Sequence, residues 1–185
     1  ASMETSEAGS QGPVEAAIDP SVPVVSVVIP AYNEARRIGP SIESIFRFIE
    51  DHNLPMEAIV VDDGSTDGTA DIAASSNSAN LKVISNGTNR GKGYSVREGF
   101  RYAKGTWVLF TDADLSTPIG QLDLLRDAAE AGADVVIGSR ALDRNKILVH
   151  QSKFREFGGI FFNWTVQALL ALRFKDTQCG FKLFH

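Results

Sequence analysis

Cysteine is almost missing from this chain. Cys179 stands alone among 185 residues, so no intrachain disulfide can form, which agrees with a reducing compartment. Histidine is nearly as scarce, at three, and no His/Cys cluster has the spacing of a zinc site. An excess of positive charge is lacking too: the net charge of -5 argues against general nucleic-acid binding. No basic segment followed by an apolar one opens the chain, so no secretory signal is read there. The Asn-x-Thr triplets at Asn86 and Asn163 are therefore taken as chance. The longest apolar stretch, GGIFFNWTVQALLAL at 158–172, is too short and too polar to span a bilayer. It suits a buried core helix or an interfacial one. There is no internal repeat and no G-x-S-x-G nucleophile elbow.

Three familiar loops are approached and missed. Counted from Gly87, a Walker loop is one residue short, and Gly93 stands where its hydroxyl belongs. A dinucleotide fingerprint through Gly91 and Gly93 meets Val96 in place of its third glycine, and it should follow the first strand. The Asp63–Gly68 stretch begins like an EF-hand, but the twelfth position is Ala74, not Glu.

What is present is an ordinary core, with apolar residues at 43%, in a length that suits one domain. Residues 1–22 are small and acidic and read as a disordered leader, with Ala1-Ser2 ahead of Met3 as a cloning scar. The domain is expected over 23–185. The β-branched run at 24–29 reads as a buried strand. Ile38, Ile42, Ile45 and Ile49 follow at helical spacing, with Pro40 in the first turn. Further strands are expected at 58–61, 81–84, 107–111 and 135–138, and helices at 69–74, 92–103 and 119–131. Strands alternating with helices imply an α/β sandwich with a largely parallel central sheet.

Ligands bind such sheets beyond the carboxyl ends of the strands. Polar clusters fall there: Tyr32-Asn33-Glu34 after the first strand, Asp62-Asp63 after the second, Asp112 and Asp114 after the fourth, Arg140 after the fifth. Charges at the end of a buried strand are costly unless partnered. Asp112-Ala113-Asp114 suits Mg²⁺ or Mn²⁺, hard cations that take one or two carboxylates and complete their shell with water and phosphate. Asp62-Asp63-Gly64-Ser65 fits the same site or a simple turn and helix cap. Residues 140–175 hold seven Lys/Arg against two acids, either a solvated face or a surface for anionic partners.

PAYNEARRI, VVDDGSTDGT, NRGKGYSVREGF, TDADLSTP, VIGSR and DTQCGFKLF occur in this order. Together they resemble the family 2 glycosyltransferases of GT-A fold, an α/β/α nucleotide-sugar-binding sandwich with a mostly parallel sheet. The last two motifs resemble the dolichyl/polyprenyl-phosphate sugar transferases, and DTQCGFKLF the dolichyl-phosphate β-glucosyltransferase type. The resemblance spans roughly 24–184. It implies inverting, metal-dependent transfer of a sugar, glucose from UDP-glucose first among the donors, to dolichyl or polyprenyl phosphate. A mannosyl or N-acetylglucosaminyl donor, a soluble hydroxyl acceptor, or a nucleotide-sugar-binding module without turnover are the other readings.

The resemblance also implies roles. Pro30, Tyr32 and Glu34 line base and ribose, and Asp63, with Asp62 beside it, meets the uracil edge. Lys92 reaches the nucleotide or caps a helix. Asp114 is the main metal ligand and a catalytic residue. Asp112 touches metal, metal-bound water or ribose, and Ala113 lies between them in the nucleotide-sugar site. Where some relatives carry Gln two residues after the second Asp, this chain has Ser116, a shorter-reaching oxygen. Arg140, also assigned to catalysis, and Arg155 would grip the acceptor phosphate, since guanidinium matches phosphate oxygens in pairs. Gln178 and Lys182 would close the site near donor or acceptor, while Cys179 reads as a packed thiol. Residues 140–175 would face a membrane surface, placing the enzyme in the cytoplasm, peripheral to or anchored at a membrane. Relatives of this type generally continue past the point matching His185.

Overall fold

The computed structural model describes residues 22–76, 78–138 and 179–185. Arg140, Arg155, Gln178, the apolar stretch 158–172 and the leader up to residue 21 lie outside the described residues.

Six strands form one sheet in the order β3-β2-β1-β4-β6-β5. β1 (Val25–Ala31) is buried along its whole length, as a β-branched run in the middle of a parallel sheet should be. It pairs in parallel with β2 (Met56–Asp62) on one side and β4 (Trp107–Thr111) on the other; β2 pairs in parallel with β3 (Leu81–Ser85). The connections run outward from β1 to β3, then cross back to β4. The carboxyl ends of β1 and β4 therefore flank the point where strand order reverses, where open α/β sheets form their crevice.

α1 (Ile38–His52) buries Ile38, Ile42, Ile45 and Phe48 in the larger core. Pro40 falls in its first turn, where a missing N–H leaves no hydrogen bond broken. α2 (Thr69–Ser75) and α4 (Leu122–Glu130) contribute Ala73, Leu122, Leu125 and Ala129 to the same core. The expected helix at 119–131 opens as a 3-10 turn, Ile119–Gln121. α3 (Lys92–Tyr102) covers the other face, where Val28, Ile59 and Val61 meet Phe100. It lies so close that a Cβ on Gly99 would overlap the Val28 side chain. No helix among the described residues is long and apolar enough to cross a membrane.

One strand was not expected. β6 (Phe181–Phe184), the FKLF of DTQCGFKLF, inserts antiparallel between β4 and β5 (Val135–Ile137). The fifth strand therefore does not neighbour the fourth. Four residues after a Cys-Gly turn are too few for a period-two pattern to stand out, yet they obey one: Phe181 and Leu183 are fully buried, Lys182 and Phe184 half-buried. Burying each of those two apolar side chains contributes about 1.5–3 kcal/mol. His185 closes the end, its N–H donating to Asp134 O at 2.9 Å and its ring lying edge-on to Trp107.

Candidate active site

At the carboxyl edge, the loops after β1, β2 and β4 and the start of α3 surround a cleft of about 340 Å³. Pro30, Tyr32, Glu34, Asp63, Lys92, Asp112, Ala113 and Asp114, all expected here, line it, and Asn89 joins them. Asp62 does not line it.

Strand alternation separates the two acids. Asp62 ends β2 and points into the turn that follows; its oxygens accept from Ser65 N at 3.3 Å and from the Ser85 hydroxyl at 3.4 Å. Asp62 thus supports the turn, and of the pair Asp63 lines the cleft. The rest of the GSTDGT segment braces the first loop. Asn33, at φ 54°, donates its N–H to Ser65 Oγ and accepts from Thr66 N, each at 3.0 Å. Glu34 N donates to Thr69 Oγ1 at 2.8 Å and Ala35 N to Asp67 Oδ2 at 3.1 Å. The Thr69 hydroxyl, with the N–H groups of Ala35 and Thr69, holds the Asp67 carboxyl below its usual range.

Asp63 is 3% exposed. Its Oδ1 accepts from Asn86 Nδ2 at 2.7 Å and Arg90 N at 3.0 Å, and its Oδ2 from Gly91 N at 2.8 Å. Burial by itself raises its pKa, but the donors from Arg90, Asn86 and Gly91 outweigh it and the net direction is down. Asp63 therefore ties the entrance of α3 to the end of β2 while lining the cleft. A carboxyl whose folded pKa lies below its unfolded value of about 3.9 stabilises the fold above that value. The contribution disappears as pH falls through the folded value. Replacing Asp63→Asn is expected to cost about 1.5–3 kcal/mol at neutral pH, the range for hydrogen bonds to charged groups. The gap between wild type and variant should shrink progressively as pH falls below about 4; a constant gap would contradict the assignment.

Asp112 and Asp114 stand apart because Ala113 between them turns inward. Ala113 is buried and its carbonyl accepts from the Ser41 hydroxyl of α1 at 2.7 Å, which leaves both carboxylates on the cleft. Asp114 Oδ1 accepts from Ser116 N at 3.0 Å, and Leu115, at φ 42°, completes the turn by donating to Asp112 O. Ser116 thus supports Asp114 through its backbone. Each acid also meets a base. Lys92 Nζ is 2.5 Å from Asp112 Oδ1 and 5.2 Å from the Phe110 ring centre. Arg37 Nη1 is 3.7 Å from Asp114 Oδ2, and its Nε is 3.0 Å from Glu34 Oε2, an ionic contact without hydrogen-bond alignment.

Of the two roles open to Lys92, the side chain takes the one toward the site: it crosses to Asp112 and caps nothing on its own helix. Lys182 sits on β6 opposite Phe110, one residue in from the edge. Cys179 is buried, with its thiol toward Gly138 O, as a packed thiol should be. Two neighbours of the site were missed. Arg37 lay in plain view within PAYNEARRI, but nothing local distinguishes it from Arg36. Gly180 packs on Asp112 from the far end of the chain, so close that a Cβ there would overlap the Asp112 carboxylate.

Two aspartates with half-open carboxylates match the needs of Mg²⁺ or Mn²⁺, which prefer oxygen and leave positions for water and phosphate. Among the described residues no three His, Cys, Asp or Glu side chains gather into a ready cage. The donor set fits a cation shared with a phosphate-bearing ligand better than one fully enclosed by protein.

Residues 26–180 match the domain model for Glycosyl transferase family 2. Curated relatives include the dolichyl-phosphate β-glucosyltransferases of Drosophila melanogaster, 35% identical over 175 residues (86% of this chain, 54% of the relative), and Saccharomyces cerevisiae, 34% identical over 181 residues (87% and 54%). The chain spans about half the length of the curated relatives it matches. Among solved structures, mannosyl-3-phosphoglycerate synthase from Rubrobacter xylanophilus aligns with TM-score 0.63 at 26% identity, covering 89% of this chain and 54% of that one. S. aureus TarS 1-349 in complex with UDP-GlcNAc aligns with TM-score 0.51 at 32% identity, covering 61% and 33%.

Proposed function

The chain belongs to glycosyl transferase family 2 and has its GT-A fold, and from that premise we propose that residues 23–185 form the catalytic domain of an inverting glucosyltransferase using UDP-glucose and dolichyl or polyprenyl phosphate. The observation that carries this reading is the gathering of Asp63, Asp112 and Asp114 on one cleft at the β1/β4 switch point. The names of the relatives supply the acceptor class and the glucose.

In this reading Tyr32, nearly half exposed beside Pro30, offers an aromatic face to the base. The Asp63 carboxylate accepts from the pyrimidine ring N–H, and Glu34 accepts from ribose hydroxyls. Lys92 contacts the diphosphate. A divalent cation held by Asp114 and Asp112, Mg²⁺ or Mn²⁺, would act as a Lewis acid toward the departing diphosphate. The acceptor needs little help from a base, because a phosphate monoester, with second pKa near 6, is already largely dianionic at neutral pH. Its oxygen forms the new bond to the anomeric carbon as the bond from that carbon to the diphosphate oxygen breaks. UDP leaves with the electron pair, and a single in-line displacement gives the β-linked product. Arg140, Arg155, Gln178 and Lys182 are proposed to bind the acceptor phosphate. The basic and apolar stretch 140–175 is proposed to rest on the cytoplasmic membrane surface.

The test is transfer of label from UDP-glucose, UDP-GlcNAc and GDP-mannose to dolichyl phosphate in vesicles, with Mg²⁺ or Mn²⁺. Glucose is expected in the lipid fraction, at least about tenfold above the other sugars, the discrimination that about 1.4 kcal/mol provides. Preference for mannose, or transfer only to a soluble sugar, would overturn the assignment.

A further inference from the structure

Glu34, Asp63, Asp112 and Asp114 crowd one cleft, and both acids of the Asp112-Ala113-Asp114 turn are met by a basic side chain of this chain. The position of Lys92 is not one a helix would choose. It is the first residue of α3, where the macrodipole disfavours a cation; glycines flank it and no acid joins it in the first turn. Its ammonium reaches back to Asp112 instead. Arg37, which bridges Glu34 and Asp114, sits just before the first residue of α1, another end that disfavours a cation. Both bases are well exposed, at 59% for Lys92 and 58% for Arg37. Such pairs are weak and exchange readily.

We propose that Lys92 and Arg37 are exchangeable counter-charges: a divalent cation displaces them from Asp112 and Asp114, and the released bases then hold the diphosphate. This deepens, and rests on, the reading of the cleft as a metal-dependent nucleotide-sugar site. The physical reason is charge balance. A divalent cation alone must break the Lys92–Asp112 pair and leave an ammonium beside it. A nucleotide diphosphate alone brings anionic charge to a cleft lined by four carboxylates while its natural bases are engaged. Together, each ligand removes the penalty of the other, so the sites are coupled in both directions by the same factor.

Calorimetric or electron-spin-resonance titration of the full chain with Mn²⁺, alone and with saturating UDP, reads this directly without turnover. In wild type, UDP should tighten Mn²⁺ by about 10- to 100-fold, within the usual span of coupling between sites. Lys92→Met should bind Mn²⁺ alone about 3- to 10-fold more tightly than wild type, because the competing cation is gone, and should show a much smaller gain from UDP. Arg97→Met removes an exposed cation that faces Tyr94 and neither acid, and serves as the control for general charge effects. Replacing Lys92 should not unfold the protein, since a cation at that helix end contributes nothing favourable to the helix. If Lys92→Met binds Mn²⁺ alone no better than wild type, or Arg97→Met gains as much, the exchange is overturned while the donor site stands. If wild type binds no Mn²⁺ even with UDP, the donor-site reading falls and the exchange with it.

Discussion

Asp114→Ala is expected to abolish glucosyl transfer while the protein melts within a few degrees of wild type. The two halves of this result have separate causes. Asp114 is partly exposed, its ion pair with Arg37 spans 3.7 Å, and it accepts a hydrogen bond from the nearby Ser116 N–H. An exposed pair of that kind is worth about 0–1 kcal/mol, so its removal barely touches the core. Lewis-acid stabilisation of a leaving diphosphate is worth several kcal/mol, and each 1.4 kcal/mol or so is tenfold in rate; the expected loss is about a thousandfold or more. Asp114→Asn sharpens the test. It keeps an oxygen for the Ser116 N–H, and with it the turn, but removes the charge. Transfer should be lost nearly as completely, and Mn²⁺ binding measured with UDP should weaken in parallel. Full activity in either variant would remove Asp114 from the metal site.

Gly180→Ala should also be strongly damaging, though residue 180 carries no functional group. Its φ is not in the left-handed region, so alanine is permitted by the backbone. The obstacle is the Asp112 carboxylate, which lies where the new methyl must go. That carboxylate must swing away, taking its contact with Lys92 with it. A displacement near 1 Å of a group that positions reactants costs on the order of a hundredfold, and that is the loss expected in the rate. A double-mutant cycle separates steric from general effects. In an Asp112→Ala background there is no carboxylate to push, so adding Gly180→Ala should reduce activity by less than about twofold. Equal losses in both backgrounds would mean that Gly180 matters for some reason other than Asp112.

These two residues also mark the boundary of what the sequence discloses. The Asp112-Ala113-Asp114 turn was legible because its signal is local: a β-branched and aromatic run ends, and acids appear at once. The sheet was legible for the same reason, and the strand over 107–111 matches β4 residue for residue. The pair Asp62-Asp63 looked like one feature because adjacency along the chain says nothing about which acid a strand turns inward. Only the end point of β2 settles it, and the strand expected over 58–61 stops one residue short of that end. Gly180 and β6 were hidden by distance. Their partners, Asp112, β4 and β5, lie some forty residues or more away in the chain, and a four-residue strand has no periodicity of its own to announce it. Arg37 was hidden by resemblance to its neighbour Arg36: two adjacent arginines at the head of a helix carry no mark of which one will meet Asp114.

The position of β6 has a consequence for how the protein is made. Among the described residues it is the last strand in sequence but the fifth across the sheet, and β5 has no strand partner there but β6. On a ribosome, β1 to β4 can assemble as they emerge, because each of their pairings is complete once β4 has left the tunnel. β5 then waits for residues 138–180. At about 5–20 residues per second that interval lasts a few seconds. During it the nascent chain presents the unpaired edge of β4 and an orphan strand rich in valine and isoleucine, the kind of surface that invites wrong pairing. The seam that joins Gly180 to Asp112 is therefore closed last, and a polypeptide halted before it would hold the acids without the strand that seats them.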